Sequence, residues 1–226
     1  MKESDELTYA RERMVEDQIR SRGIKDARVL EAMATIPRHV FVPSENKHLA
    51  YADAPLPIGH RQTISQPFIV ALMTELLCLG GDETVLEVGT GSGYQAAILG
   101  RLAKHVYSLE RIPELAEHAR GILNALKLDN VEVLVADGSQ GLPEHAPFGG
   151  IMVTAAAPKV PVPLKEQLAD GGRLVLPVGE QAGQILECWE RQGDDFRRER
   201  VAPVAFVPLV GEHGWDSDER PFSWWL

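Results

Sequence analysis

Thr84-Val85-Leu86-Glu87-Val88-Gly89-Thr90-Gly91-Ser92-Gly93-Tyr94 is the stretch on which the reading of this chain turns. Its first five residues make a short, mostly apolar strand, and glycines then occupy three alternate positions. Glycine directly after a first strand lets a ligand lie against the main chain where a helix begins. Tyr94–Leu102 reads as that helix. Downstream, His105–Leu109, Val131–Ala136, Gly149–Thr154 and Arg173–Val178 read as further strands, separated by helices at Pro113–Lys127 and near Leu164–Ala169. Strands of near-continuous Val, Leu and Ile that alternate with helices predict a mostly parallel sheet covered on both faces. Gln184–Glu190 and Val201–Leu209, around the charged turn Arg191–Arg200, predict a terminal antiparallel pair. The expected class is α/β.

Upstream of residue 84 the pattern is helical and irregular, with no alternating strand. Leu7, Ala10, Met14 and Gln18, flanked by Val15 and Ile19, form one apolar stripe that Gly23 ends. Asp26 is placed to cap a second helix carrying Val29, Leu30 and Met33. A proline-rich, extended passage from Pro37 to Pro57 follows, then a helix from Pro67 to Cys78 for which Ser65 is the expected cap. That helix is expected to turn Phe68, Leu72, Leu76, Ile69, Met73 and Leu77 inward, and Gly80-Gly81 stops it. The 226 residues suit one domain. Their net charge of −10 disfavours a polyanionic partner such as nucleic acid. No apolar run approaches the ~18 residues of a membrane span, and the acidic start Met1–Glu6 is unlike a secretory signal. Two cysteines, Cys78 and Cys188, are too few for a disulfide scaffold, which favours a reducing, cytoplasmic home. The seven histidines are not spaced as a zinc pair, so no metal is expected.

The glycine spacing excludes two familiar ligands. A dinucleotide fingerprint wants Gly-x-Gly-x-x-Gly, whereas here the pattern is Gly-x-Gly-x-Gly followed by the bulky Tyr94. No phosphate-gripping Lys follows, so a P-loop is excluded as well. Acids instead mark successive strand ends: Glu87 in the first, Glu110 closing the second where a ribose diol would be held, and Asp137 closing the third, followed by Gly138. Three carboxylates suit an adenosine-like ligand that lacks pyrophosphate and carries positive charge. S-adenosyl-L-methionine is such a ligand, and residues 80 to 180 resemble class I S-adenosylmethionine-dependent methyltransferases, a Rossmann-like fold.

The acceptor side narrows the class. The slot after the fourth strand, Thr154-Ala155-Ala156-Ala157-Pro158, lacks the side-chain amide and aromatic ring of nucleobase amino-methylases. Before the glycine turn stands Ala54-Pro55-Leu56-Pro57-Ile58-Gly59-His60-Arg61-Gln62-Thr63-Ile64-Ser65-Gln66-Pro67, which closely resembles the defining segment of protein-L-isoaspartate O-methyltransferases. Further matches follow in order at Glu87–Gly93, Val106–Arg111, Asp137-Gly138, Val153–Pro158, Leu176–Glu180 and Phe206–Leu209, so the resemblance spans about residues 8 to 210. It implies methylation of the α-carboxylate of isoaspartyl residues in damaged proteins, with S-adenosyl-L-homocysteine as the other product and a succinimide to follow. It also implies Ser65 and Thr63 as catalytic residues. Cofactor contacts are implied at Gln62, Glu87, Gly89, Thr90, Gly91, Gly93, Glu110, Arg111, Asp137 and Gly138, and substrate contacts at Ile64, Ser65, Val207, Pro208 and Leu209. The expected organisation is a single domain, with residues 1–80 as helical cap and acceptor loop, 81–180 as cofactor core, 181–210 as terminal strands and 211–226 as a tail. A monomer is expected.

Elementary chemistry agrees with that implication. An α-carboxyl group has a pKa of ~3.3–3.7, so the acceptor is already an anion at neutral pH and needs no general base. Two neutral hydroxyls, Thr63 and Ser65, can aim one of its oxygens. Arg61 departs from the family, which usually has Gly there, and a requirement for positive φ would alter the loop. The alternatives are another class I carboxyl or small-molecule O-methyltransferase and a NAD-dependent oxidoreductase.

Overall fold

The computed structural model describes residues 5–180 and 183–216. The amino-terminal layer begins with α1 (Asp5–Arg13), which widens into a π-helix over Met14–Ile19 and tightens over Arg20–Arg22 before Gly23 ends it at φ 101°. Asp26 caps α2 (Ala27–Thr35) by accepting from Arg28 N. The passage expected to be extended instead holds two short 3₁₀ helices, Arg38–Val40 and Ser44–Leu49.

A hairpin follows where no strand was expected. β1 (Leu56–Gly59) and β2 (Gln62–Ile64) pair antiparallel, with Gly59 opposite Gln62. Only His60 and Arg61 connect them, at φ 49° and 58°. Two-residue hairpin turns of this kind need positive φ at both centres and are usually announced by Asn-Gly or Asp-Gly. His-Arg carries no such signal, which is why the pattern hides the hairpin.

Helix α3 (Pro67–Leu76) opens with Pro in its first turn, where a missing N–H is harmless. Its cap position is Gln66, with no side-chain cap of its own, so Ser65 lies one residue too early to cap it. Its buried face is Val70, Ala71, Met73 and Thr74, while Phe68, Ile69, Leu72 and Leu76 are only partly covered.

The central sheet has seven strands: β3 (Thr84–Val88), β4 (His105–Glu110), β5 (Val131–Val135), β6 (Phe148–Val153), β7 (Leu168–Val178), β8 (Ile185–Gln192) and β9 (Asp195–Pro203). Their order across the sheet is β5-β4-β3-β6-β7-β8-β9. The first five run parallel, and β8 and β9 close the sheet antiparallel. Helices α4 (Tyr94–Gly100), α5 (Pro113–Ala125) and α6 (Val162–Glu166) connect the parallel strands. Alternation within each strand buries both faces. Val85, Val106, Met152 and Val175 join the core under the amino-terminal layer, while Leu86, Leu109, Ile151 and Leu174 join the core on the other face with Leu164 of α6. This is the mostly parallel α/β architecture with helical cap and antiparallel end that the sequence predicts.

Two boundaries move. β7 begins at Leu168, so the helix before it is shorter than expected. β9 runs through most of the presumed charged turn, which is only Gly193-Asp194, because an edge strand tolerates exposed charges such as Arg197, Arg198 and Arg200. Val204–Leu209 then leaves the sheet. Trp215 folds back, donating from Nε1 to Ala156 O at 3.0 Å, whereas Trp224 and Trp225 lie outside the described residues.

Candidate active site

The parallel strands all present their carboxyl ends on one edge, and the site is assembled there. Immediately after β3, Gly89, Gly91 and Gly93 take φ of 99°, 52° and 87°. The turn is stitched to both neighbouring strands: Gly89 N donates to Leu109 O at 2.8 Å, and Thr154 Oγ1 donates to Gly89 O at 2.5 Å. A Cβ on Gly89 would stand 2.4 Å from Thr154 Oγ1, so main chain alone fits there. Glu110 ends β4 with Oε2 accepting from Gly91 N at 2.9 Å and Oε1 from Ile112 N at 3.0 Å. Those bonds fix its carboxylate and leave lone pairs for a diol.

Beneath the turn lies a buried polar column. Ser108 donates to Glu87, and Thr90 Oγ1 meets Ser108 Oγ at 2.5 Å. Burial, opposed by the Ser108 hydroxyl and assisted by Glu110, pushes Glu87 up to about 8. At neutral pH Glu87 is therefore mostly protonated, a neutral prop rather than a charge. Asp137 behaves oppositely. Partial burial raises its pKa, but the Glu212 N–H and the Ser139 donors outweigh that, and the net shift is downward. Its Oδ2 accepts from Glu212 N at 2.8 Å, and its Oδ1 accepts from Ser139 N at 3.0 Å and Ser139 Oγ at 2.7 Å.

A cavity opens over the glycine turn. Gln62, Thr63, Ile64 and Ser65 line it from the hairpin and loop, with Gly89, Thr90, Gly91, Glu110, Arg111 and Gly138 from the strand ends, and Val207, Pro208 and Leu209 from the late segment. The structure thus brings together thirteen of the residues singled out from the sequence. Glu87, Gly93 and Asp137 are outside that lining: Glu87 is buried below it, Gly93 packs toward Ala119, and Asp137 ties down Glu212. Ser92, Tyr94, Gln95, Ile112 and Thr154 line the cavity without having been singled out. Tyr94 and Gln95 open α4, so their place one step past the glycines was the available signal.

A groove adjoins the cavity, lined by Pro55, Thr63, Ser65, Gln66, Ile69, Thr154 and the segment Pro203–Val207. Thr63, Ser65, Thr154 and Val207 belong to both spaces, and among the described residues no charged side chain lines the groove. The loop bearing the hydroxyls is braced by a residue the sequence did not flag. Asp53 Oδ1 accepts from Phe68 N at 3.1 Å, and its Oδ2 accepts from Gln66 Nε2 at 3.2 Å and pairs with Arg22 Nη1 at 2.6 Å. Asp53 is the anion that the start of α3 attracts, and it supplies the cap that Ser65 does not.

The donor set fits an adenosyl sulfonium ligand: a positioned carboxylate at the end of the second parallel strand, a glycine turn open to close approach, and neutral hydroxyls. Among the described residues no cluster of three or more His, Cys, Asp or Glu is arranged to hold a metal, and no helix is long and apolar enough to cross a membrane.

Comparison with known proteins agrees with this geometry. The family model described as protein-L-isoaspartate(D-aspartate) O-methyltransferase matches residues 9–214. A protein-L-isoaspartate O-methyltransferase of Geobacter metallireducens is 58% identical over 93% of this chain and 98% of its own length. One from Methanoregula boonei is 56% identical over 92% of this chain and 95% of its own. Among solved structures, a protein-L-isoaspartate O-methyltransferase superposes with a TM-score of 0.82 at 28% identity, covering 90% of this chain and 67% of that one. A Plasmodium falciparum structure under the same enzyme name, in complex with S-adenosyl-L-homocysteine, gives 0.77 at 26% identity over 88% of this chain and 98% of its own. A family match over nearly the whole length, with relatives more than half identical, leaves one conclusion: the chain belongs to the protein-L-isoaspartate(D-aspartate) O-methyltransferase family.

Proposed function

We infer that this chain is a protein-L-isoaspartate O-methyltransferase, which esterifies the α-carboxylate of L-isoaspartyl residues in damaged proteins and so starts their repair through a succinimide. S-adenosyl-L-methionine is the methyl donor and supplies an electrophilic methyl on a sulfonium. The observation that carries the reading is that Thr63 and Ser65 line both the cavity over the glycine turn and the adjoining groove. A peptide carboxylate in the groove and a methyl donor in the cavity would meet at those hydroxyls.

The residues have little covalent chemistry to perform. A carboxylate oxygen gains a bond to the methyl carbon, the carbon–sulfur bond breaks, and the sulfur keeps its electron pair; no proton moves. Ser65 and Thr63 donate hydrogen bonds that hold the acceptor in line, and alignment of this kind is a large part of what a catalyst supplies. Neutral donors orient the anion without the strong grip of a guanidinium fork. Glu110 and the glycine turn hold the donor's adenosyl portion. An uncharged groove suits an enzyme that must accept varied neighbours around the isomerised bond. One domain carries both tasks, residues 1–80 supplying the acceptor loop and 81–180 the cofactor core. We place it as a monomer in the cytoplasm; free thiols at Cys78 and Cys188 support the cytoplasmic part of that reading.

Incubation with labelled S-adenosylmethionine and paired peptides, isoaspartyl against normal aspartyl, tests the reading. Base-labile label is expected in the isoaspartyl peptide alone, and equal labelling of both overturns the assignment. In the same assay Ser65→Ala is expected to lower kcat by about 10- to 100-fold, with S-adenosylhomocysteine affinity within about twofold by calorimetry.

A further inference from the structure

Beyond Pro203 the chain leaves β9, and from there to Val207 it forms part of the wall of the acceptor groove. A wall made of departing chain needs something to pair with. Gln184, immediately before β8, provides it. The main-chain oxygen of Gln184 accepts from Val204 N at 3.0 Å. Its side-chain Oε1 accepts from Phe206 N at 2.6 Å, and its Nε2 donates to Phe206 O at 3.1 Å. One residue thus makes three bonds to two residues of the wall, Val204 and Phe206, as a neighbouring strand would. One residue further on, Val207 O accepts from Ala156 N at 2.7 Å, fastening the other end to the loop after β6.

We propose that Gln184 is a positioning residue for the acceptor peptide: its buried amide replaces a strand and holds Val204–Val207 in the path that fits an isoaspartyl main chain. The proposal rests on the groove being the peptide site. Gln184 lines neither the cavity nor the groove and is 3% exposed, so it acts only through Phe206 and its neighbours. The residue type matters. An amide donates and accepts at the same reach, which is what one Phe206 N–H and one Phe206 carbonyl require. Glutamate keeps the acceptor and loses the donor, and methionine fills the same space with neither. Without the clamp, two partly buried main-chain groups of the wall lose their partners, and the segment shifts to find others. The wall then no longer matches the extra main-chain methylene that separates isoaspartate from aspartate. The cofactor contacts come mainly from the strand ends and the glycine turn, so they are left in place.

The test compares wild type and Gln184→Met in steady-state methylation of an isoaspartyl hexapeptide, with S-adenosylhomocysteine binding measured by calorimetry. The expected result for the variant is a peptide KM raised about tenfold or more, kcat within about threefold, and S-adenosylhomocysteine Kd within about twofold. Gln184→Glu is read by the same criteria if the methionine variant does not fold. An unchanged KM overturns the proposal, and so does a KM rise matched by an equal loss of S-adenosylhomocysteine affinity, which would mark Gln184 as a general structural support. Wild type that ignores the isoaspartyl peptide would refute the functional reading itself. Wild type that methylates it while the variant does so with the same KM would refute only the role of Gln184.

Discussion

Gly89 and Ser65 line the same cavity, yet they are held there by different means. Around Gly89 groups at the ends of the adjacent parallel strands hold the main chain in place. The turn bonds to Leu109 and Thr154 on adjacent parallel strands, and Glu110 is fixed by the amides of Gly91 and Ile112. Around Ser65 and the facing wall of the groove, side chains outside the parallel strands do it. Asp53 grips Gln66 and Phe68 on one side of the groove, and Gln184 grips Phe206 on the other. The difference follows from what each half must accept. A cofactor of fixed shape can be met by rigid strand ends. A peptide of varied sequence is met by extended segments whose main chain must stay open toward the ligand, so their bracing comes from behind, by side chains.

The contrast predicts a large, all-or-none loss on the cofactor side. Gly89→Ala puts a methyl group 2.4 Å from Thr154 Oγ1 at a residue with φ 99°, so both a clash and a backbone penalty arise. Strain and overpacking of this sort each cost about 1–3 kcal/mol. The expected outcome is S-adenosylhomocysteine affinity lower by at least about 100-fold in calorimetry, with the turn displaced from Leu109. Affinity within about threefold of wild type would break the contrast.

On the acceptor side a graded loss is expected. Asp53→Ala removes the cap of α3 and the tie to Gln66, and caps contribute about 0.5–2 kcal/mol. Activity toward an isoaspartyl peptide should fall about tenfold in kcat/KM, while S-adenosylhomocysteine affinity falls no more than about threefold. Asp53→Asn keeps an oxygen for Phe68 N and weakens the pairing with Arg22, so it should recover part of the loss. Equal damage from both substitutions would show that the Arg22 pair, not the cap, braces the loop.

How much of this was legible in the sequence follows the same division. The glycine turn, Glu110 and the strand-and-helix rhythm around them were readable because each occupies a fixed place in its own strand–turn–helix unit, even though its hydrogen-bond partners lie on other strands. Ser65 was recognisable as a site residue but was misread as a cap, since the true cap, Asp53, lies twelve residues earlier and shows no local pattern. Gln184 carries no sequence signal, because its partner, Phe206, lies across the β8–β9 hairpin. Strand period explains Glu87. It shares a sheet face with Val85, so its side chain goes beneath the turn, where Ser108 meets it. Asp137 was assigned to the cofactor from its place after the third parallel strand, and its second carboxylate oxygen proves to be taken by Glu212 N.

The smallest expected effect concerns the tip of the β1–β2 hairpin and sharpens the contrast from the acceptor side. Arg61 holds φ 58°, a conformation that penalises a residue with a Cβ by about 1–2 kcal/mol. Glycine removes that penalty but adds freedom to the unfolded chain, which offsets about 0.5–1 kcal/mol. Arg61→Gly should therefore gain at most about 1.5 kcal/mol, raising Tm by no more than about 3–6 °C in a thermal melt. The exposed Arg61 side chain lines neither cavity nor groove, so kcat/KM should stay within about twofold. A substantial fall restricted to peptides with acidic flanks would instead assign the guanidinium a part in substrate binding, and the acceptor half would then recognise charge as well as main chain.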